Sequence, residues 1–289
     1  MGLSIRGSGE RAHVDVKSSM LDSGELEFEG DFGASSQILV VGSTLVTKSD
    51  HAIVFVEFTL SANMTLLLLD NHIEANRYAV YFSRGVVVDG GGIIVKGNKL
   101  RATEDDHSVE SSVCVNALDL RNGGYFDVEN NTMNSVNGVI FFGVNTVSSS
   151  GLLRVADCTF FAGTEVFDPA LVFLSGLVKL EGGAQWRVEG NTVGAASVLI
   201  IPYSWQKIRL SGSGTTVALA HNRQVDSRMR LFKHLPANTI VESPARFVVG
   251  CNLQGGEEVS YDDVFPEEAV VFRCGACNDD AACYMPGDG

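Results

Sequence analysis

No apolar run in this 289-residue chain approaches the roughly 18–20 residues that a membrane helix needs. The best candidates, TLLLL at 65–69 and GVIFFGV at 138–144, have the length of strands. The opening text, MGLSIRGSGERAHVDV, holds no hydrophobic signal-peptide core, and Arg6 stands where a myristoylation motif takes Ser or Thr. These absences predict a soluble chain with no membrane span and no targeting segment. Positive charge is also scarce: 21 Lys and Arg face 35 Asp and Glu, for a formal net charge of −14. That argues against nucleic acid, whose affinity comes largely from cationic contacts to phosphate, and against docking on anionic lipid. No P-loop, dinucleotide fingerprint or nucleophile elbow is present, and no segment reads as a convincing helix.

What the chain does have is enough apolar material for a core, many turns, and a repeated phrase. Hydrophobic residues make up 45% and charged residues 19%, which places the chain among folded rather than disordered sequences. Gly-Gly, an alternating segment and Asn recur in GGIIVKGNKL (91–100), GGYFDVENNTM (123–133) and GGAQWRVEGNTV (182–193). Aligned on that Asn, nine segments fall into line, centred on Ser19, Ser43, Asn71, Asn98, Asn131, Cys158, Asn191, Asn222 and Asn252. Their spacing runs from 24 to 33 residues, with a mean of about 29.

Three residues before each anchor stand Val16, Val40, Leu68, Val95, Val128, Val155, Val188, Leu219 and Val249. Five before stand Val14, Ile38, Leu66, Ile93, Phe126, Leu153, Trp186, Val217 and Phe247, so all eighteen positions are apolar. The residue between is often polar, as at Asp15, Asp127, Arg154 and Arg187, which is the period of a half-buried strand. A second apolar run, such as AIVFV (52–56) or SVLII (197–201), lies between anchors. Short strands at this period mean a solenoid, a propeller or an array; a propeller blade needs about 40–45 residues. The pattern predicts an all-β, right-handed parallel β-helix of about nine coils over 1–253, a rod on the order of 40 Å long. Residues 254–289 change character and are expected to form a short, acidic, Cys-rich appendage.

Asn71, Asn98, Asn131, Asn191, Asn222 and Asn252 are candidate turn and ladder residues, since Asn tolerates left-handed backbone and stacked amides bond along an axis. Cys274, Cys277 and Cys283 form Cys-x2-Cys-x5-Cys. With Cys251 they suit two disulfides in any of three connectivities, unpaired thiols, or a zinc site. Asn63 and Asn130 each open a glycosylation sequon. The acidic pairs Asp105–Asp106, Asp262–Asp263 and Asp279–Asp280 sit in loops or the tail, and no carboxylate pair occupies equivalent offsets of neighbouring coils. EDDH at 104–107 reads as a solvated loop, His107, His221 and His234 share no offset, and Trp186 reads as core while Trp205 stays a candidate for sugar stacking. No catalytic residue, cofactor or metal is expected, and the chain reads as a non-enzyme.

GGYFDVENNTM, GLLRVADCTF (151–160), GGAQWRVEGNTV and FRCGACNDDAACY (272–284) together resemble the dispersed gene family protein 1 group of trypanosome parasites, over roughly 30–285. The resemblance implies a piece or truncated copy of very large surface or secreted proteins with β-helix-like repeats, Cys-rich segments and membrane helices near their C-terminus. It also implies an adhesive role toward a host glycan, matrix or protein ligand, at the cell surface or secreted. The alternatives are a carbohydrate-active β-helix enzyme, which would gather carboxylates with Arg, Lys or calcium on one sheet face, and a purely structural array segment.

Overall fold

A computed structural model describes residues 2–8, 11–103, 110–162, 169–194, 197–202, 208–225, 231–233, 235–242, 245–261, 264–265 and 270–273. Among them the chain winds into three parallel sheets of twelve, ten and ten strands. Face 1 holds the long strands, such as His51–Leu60, Asn137–Val147 and Ala170–Glu181. Face 2 holds the strand before each anchor, from His13–Lys17 to Val270–Arg273. Face 3 holds the short strand after it, from Met20–Asp22 to Leu253–Gln254. Apart from Glu257–Glu258, the tenth strand of face 3, which folds back antiparallel on Leu253–Gln254, the strands pair in parallel from coil to coil, so the fold is a parallel β-solenoid. The nine anchors bound eight complete turns. The one helical element among these residues is Leu235–Asn238.

The two apolar columns of the alignment are two physical columns. Ile38 pairs with Leu66, Leu66 with Ile93, Ile93 with Phe126, Phe126 with Leu153, Leu153 with Trp186, and so on to Phe247, with no register shift along face 2. Sixteen of the eighteen residues are fully buried; Val14 and Val16, in the first coil, pack against the core while staying partly open. The second apolar runs lie in face 1. There two consecutive residues per coil turn inward, as Ala52 with Ile53, Ala79 with Val80 and Leu171 with Val172, all members of the main core. Phe28, Phe55 and Phe82 stack along the axis at 5.0 and 4.7 Å between centroids, which fills this wall with ring on ring. Trp186 is inside the core with its indole Nε1 unpartnered.

The anchors form a buried ladder. Asn71 N and Nδ2 both donate to Asn98 Oδ1 at 2.9 Å, and Asn98 N and Nδ2 donate to Asn131 Oδ1 at 2.9 and 3.0 Å. The second Nδ2 hydrogen goes back one coil, from Asn71 to the Val40 carbonyl (2.9 Å) and from Asn98 to Leu68 (2.8 Å). Asn98 therefore uses both donors and both acceptor sites of its amide, which is what a fully buried amide requires. Asn191, Asn222 and Asn252 repeat the pattern, and Tyr261 Oη receives the last Nδ2 at 2.9 Å. Ser19 and Ser43 carry only the backbone link, Ser19 N to Ser43 Oγ (3.1 Å) and Ser43 N to Asn71 Oδ1 (2.9 Å). At Cys158 the backbone link to Asn191 Oδ1 survives at 2.9 Å, but of the two Asn131 Nδ2 hydrogens only the one to the Val95 carbonyl (2.7 Å) finds oxygen, and the forward one meets sulfur at 4.0 Å.

Two expectations change. The left-handed residue of the corner is not the anchor but the residue before it: Ser18, Gly42, Asp70, Gly97, Asn130, Asp157, Gly190, His221 and Cys251 all have φ between 46° and 70°. Left-handed backbone there turns the chain while the next side chain drops into the ladder. The array also runs past 253. Val270–Arg273 pairs in parallel with Arg246–Gly250, so part of the segment expected as an appendage belongs to face 2. Cys274, Cys277 and Cys283 lie outside the described residues.

Restoring the broken rung should stabilise the solenoid: we expect Cys158→Asn to add about 1 kcal/mol, and Asn98→Ala, which strands the Asn71 N–H and one Nδ2 hydrogen, to cost about 3 kcal/mol. Urea unfolding followed by circular dichroism measures both, and a destabilising Cys158→Asn would show that this rung rejects an amide.

Candidate functional surface

The columns that point outward carry the chemistry. On face 2 one column runs Ile94, Asp127, Arg154, Arg187, each the register partner of the next. The column beside it runs Lys96, Glu129, Ala156, Glu189. Neighbouring coils stand about 4.8 Å apart, so one long side chain reaches two coils. Arg154 does so: its Nε lies 2.9 Å from Glu189 Oε1, and its Nη1 lies 3.2 Å from Asp127 Oδ2 and 3.5 Å from Glu129 Oε2. Lys96 Nζ completes the group at 3.1 Å from Glu129. Burial works against the Arg154 charge, but Glu189, Asp127 and Glu129 outweigh it and hold the guanidinium more firmly protonated than usual. Burial raises the Asp127 carboxyl, with Arg154 offsetting part of the rise and Glu129 adding to it.

The sequence reading did not find this group, whose carboxylates do not sit at equivalent offsets of neighbouring coils: Asp127 and Glu129 share one coil, Glu189 lies two coils on, and Arg154 gathers them by reaching both ways. The signal was present, because Asp127, Arg154 and Arg187 occupy one position of the repeat and Glu129 and Glu189 another. Looking for adjacent acidic pairs hid it, since here each carboxylate comes from a different coil or a different column.

Upstream on the same face the outward residues turn apolar, with Leu39, Leu67 and Ile94 in one column and Val41 and Leu69 beside it, all half-buried. On face 1 the outward column Val54, Tyr81, Cys114, Ile140 is half-open at Tyr81 and buried at Val54, Cys114 and Ile140. Burial pushes the Cys114 thiol well above its ordinary range, and it pushes the ladder thiol of Cys158 up to about 12. Both are free and inert as thiolates at neutral pH.

The sequon residues Asn63 and Asn130 are exposed at left-handed corner positions. Asn71, Asn98, Asn131, Asn191, Asn222 and Asn252 are buried in the ladder. Trp186 is core and His221 is exposed at a corner. EDDH at 104–107, Asp262–Asp263, Asp279–Asp280, His234 and Trp205 lie outside the described residues. Among the described residues no group of His, Cys, Asp and Glu could hold a metal ion, and no helix is long and apolar enough to cross a membrane.

No protein-family model, curated protein or solved structure matches this chain.

Removing the Arg154 charge leaves Asp127, Glu129 and Glu189 without their shared counter-ion. Arg154 is 22% exposed, so solvent screens part of the effect, and Arg154→Met should cost about 1–3 kcal/mol at pH 7. The raised Asp127 carboxyl takes up its proton more readily folded than unfolded. The variant's penalty should therefore shrink as the pH falls through the carboxylate range. Urea melts at pH 7 and pH 4 test this, and an equal loss at both would assign Arg154 a packing role instead.

Proposed function

We propose that the chain is a non-enzymatic surface-contact solenoid that binds glycans, matrix components or proteins through its outward columns, at a cell surface or after secretion. One observation carries the reading. The inward columns stay apolar at every coil, whereas an outward column in the same register reads Asp15, Leu39, Leu67, Ile94, Asp127, Arg154, Arg187 before it is covered at Ala218 and Val248. A purely structural array uses only the inner columns. A rigid lattice whose outer column changes chemistry along the axis, from Leu and Ile to Asp and Arg, is what recognition of a specific partner requires. Paired cysteines among Cys251, Cys274, Cys277 and Cys283 would suit an oxidising compartment, and the resemblance to the dispersed gene family protein 1 group points the same way.

A second reading, a carbohydrate-active β-helix enzyme, is favoured by the carboxylates around Arg154. It is the weaker one, because Arg154 already neutralises Asp127 and Glu189 in the absence of substrate.

Glycan and matrix-protein arrays probed with the chain test the proposal. We expect saturable binding without product release; release of oligosaccharides from polyuronates, with or without calcium, would favour the enzyme, and silence on both arrays would sink the contact role.

A further inference from the structure

A second outward cluster lies on face 1, away from Arg154. The His51 ring stacks on Tyr81 at 4.7 Å and 15°, and on Tyr78 at 5.6 Å and 24°. Tyr78 and Tyr81 are 5.1 Å apart, and the Arg77 guanidinium sits 5.2 Å above Tyr78. The three rings come from two neighbouring coils held in register, His51 opposite Tyr78, so the lattice itself sets their spacing. His51 and Tyr81 are half-open, while Tyr78 lies beneath them.

Polar groups rim the rings. Glu25 Oε1 is 3.9 Å from His51 Nδ1, with the Glu25 side chain 36% exposed. Burial raises the Glu25 carboxyl, and the negative charges of Glu27 and Asp50 raise it further. Burial lowers the His51 pKa despite Asp50, so the ring is neutral at pH 7 and stacks on the tyrosines without a charge. Arg77 Nε and the Ser111 Oγ of the next coil are buried at the inner edge with no hydrogen-bond partner.

We propose that this cluster is a saccharide subsite that takes a neutral or N-acetylated hexose unit of a glycan. It rests on the contact reading above and names the ligand class. A pyranose has an apolar C–H face, which packs against the half-open edges of the His51–Tyr81 stack, and a rim of hydroxyls. Those hydroxyls donate to the Glu25 and Glu27 carboxylates and accept from Arg77. Three carboxylates against one guanidinium and a neutral imidazole leave the rim negative. Uronates and sulfated sugars are therefore repelled, and sugars without acidic groups are selected.

Saturation-transfer NMR and titration calorimetry with the N-acetylglucosamine hexamer, laminarihexaose and trigalacturonate test this on the whole chain. The two neutral oligomers should show ring-proton saturation and trigalacturonate none. Tyr81→Ala and His51→Ala should each weaken binding about fivefold to tenfold, the scale of one aromatic contact, while Tyr81→Phe keeps it. Should Tyr81→Ala shift the thermal melt, His51→Gln, which keeps volume but loses the ring, carries the test alone. A preference for trigalacturonate, no binding of either neutral oligomer, or binding unmoved by both ring variants overturns the subsite. If the matrix-protein array still binds in that event, the contact reading stands without it; if nothing binds, both fall.

Discussion

Everything in this fold follows from the amide ladder that ties each coil to the next. At a rung such as Asn98, one side chain satisfies the backbone N–H of the previous anchor, the side chain of that anchor and a carbonyl of the previous coil. Slipping the register by one residue would strand all of these groups in a dry interior and turn the apolar columns outward. The ladder therefore permits one alignment of coil on coil. The left-handed residue before each rung is the backbone device that makes the inward turn possible, and Gly, Asp or Asn occupies six of those nine positions because they bear that conformation at low cost.

The same constraint decides where the chain can vary. Faces 2 and 3 flank the rung and keep strict register through every coil, so differences in coil length have to fall elsewhere. In the long coils the additional residues lie between Ala102 and Ser111 and between Phe161 and Ala170, on the way from face 3 to face 1. Cys158 marks how much imperfection the ladder accepts: its backbone donates as an Asn would, and its thiol turns to the Ala156 carbonyl at 3.2 Å in place of the next amide.

Outward chemistry is assembled across coils rather than along the chain. Arg154 meets partners 27 and 35 residues away, and His51 meets Tyr78 from the following coil. Each contact is local in the lattice and distant in sequence. A cluster on such a surface is built by choosing the same offset in successive repeats, which allows aromatic plates and charge groups to be placed without disturbing the core.

The repeat was legible from the residues alone because burial imposes a period. Val and Leu at three and five positions before an anchor, with Asn at the anchor, leave little other than stacked coils, and the second apolar runs supplied the other wall. The missed features were those for which position within the repeat says nothing about contact. The inward pair Ala52 and Ile53 depends on a local break in alternation, the extension to Arg273 depends on a strand with no Asn after it, and the Arg154 group depends on side-chain reach between coils. Sequence by itself determined the architecture, the inner columns and the rungs, because a hydrophobic core and buried amides constrain residue type directly. Only the tertiary structure decided which outward residues meet, because solvent-facing positions carry no such constraint and are joined solely by the spacing and register of neighbouring coils.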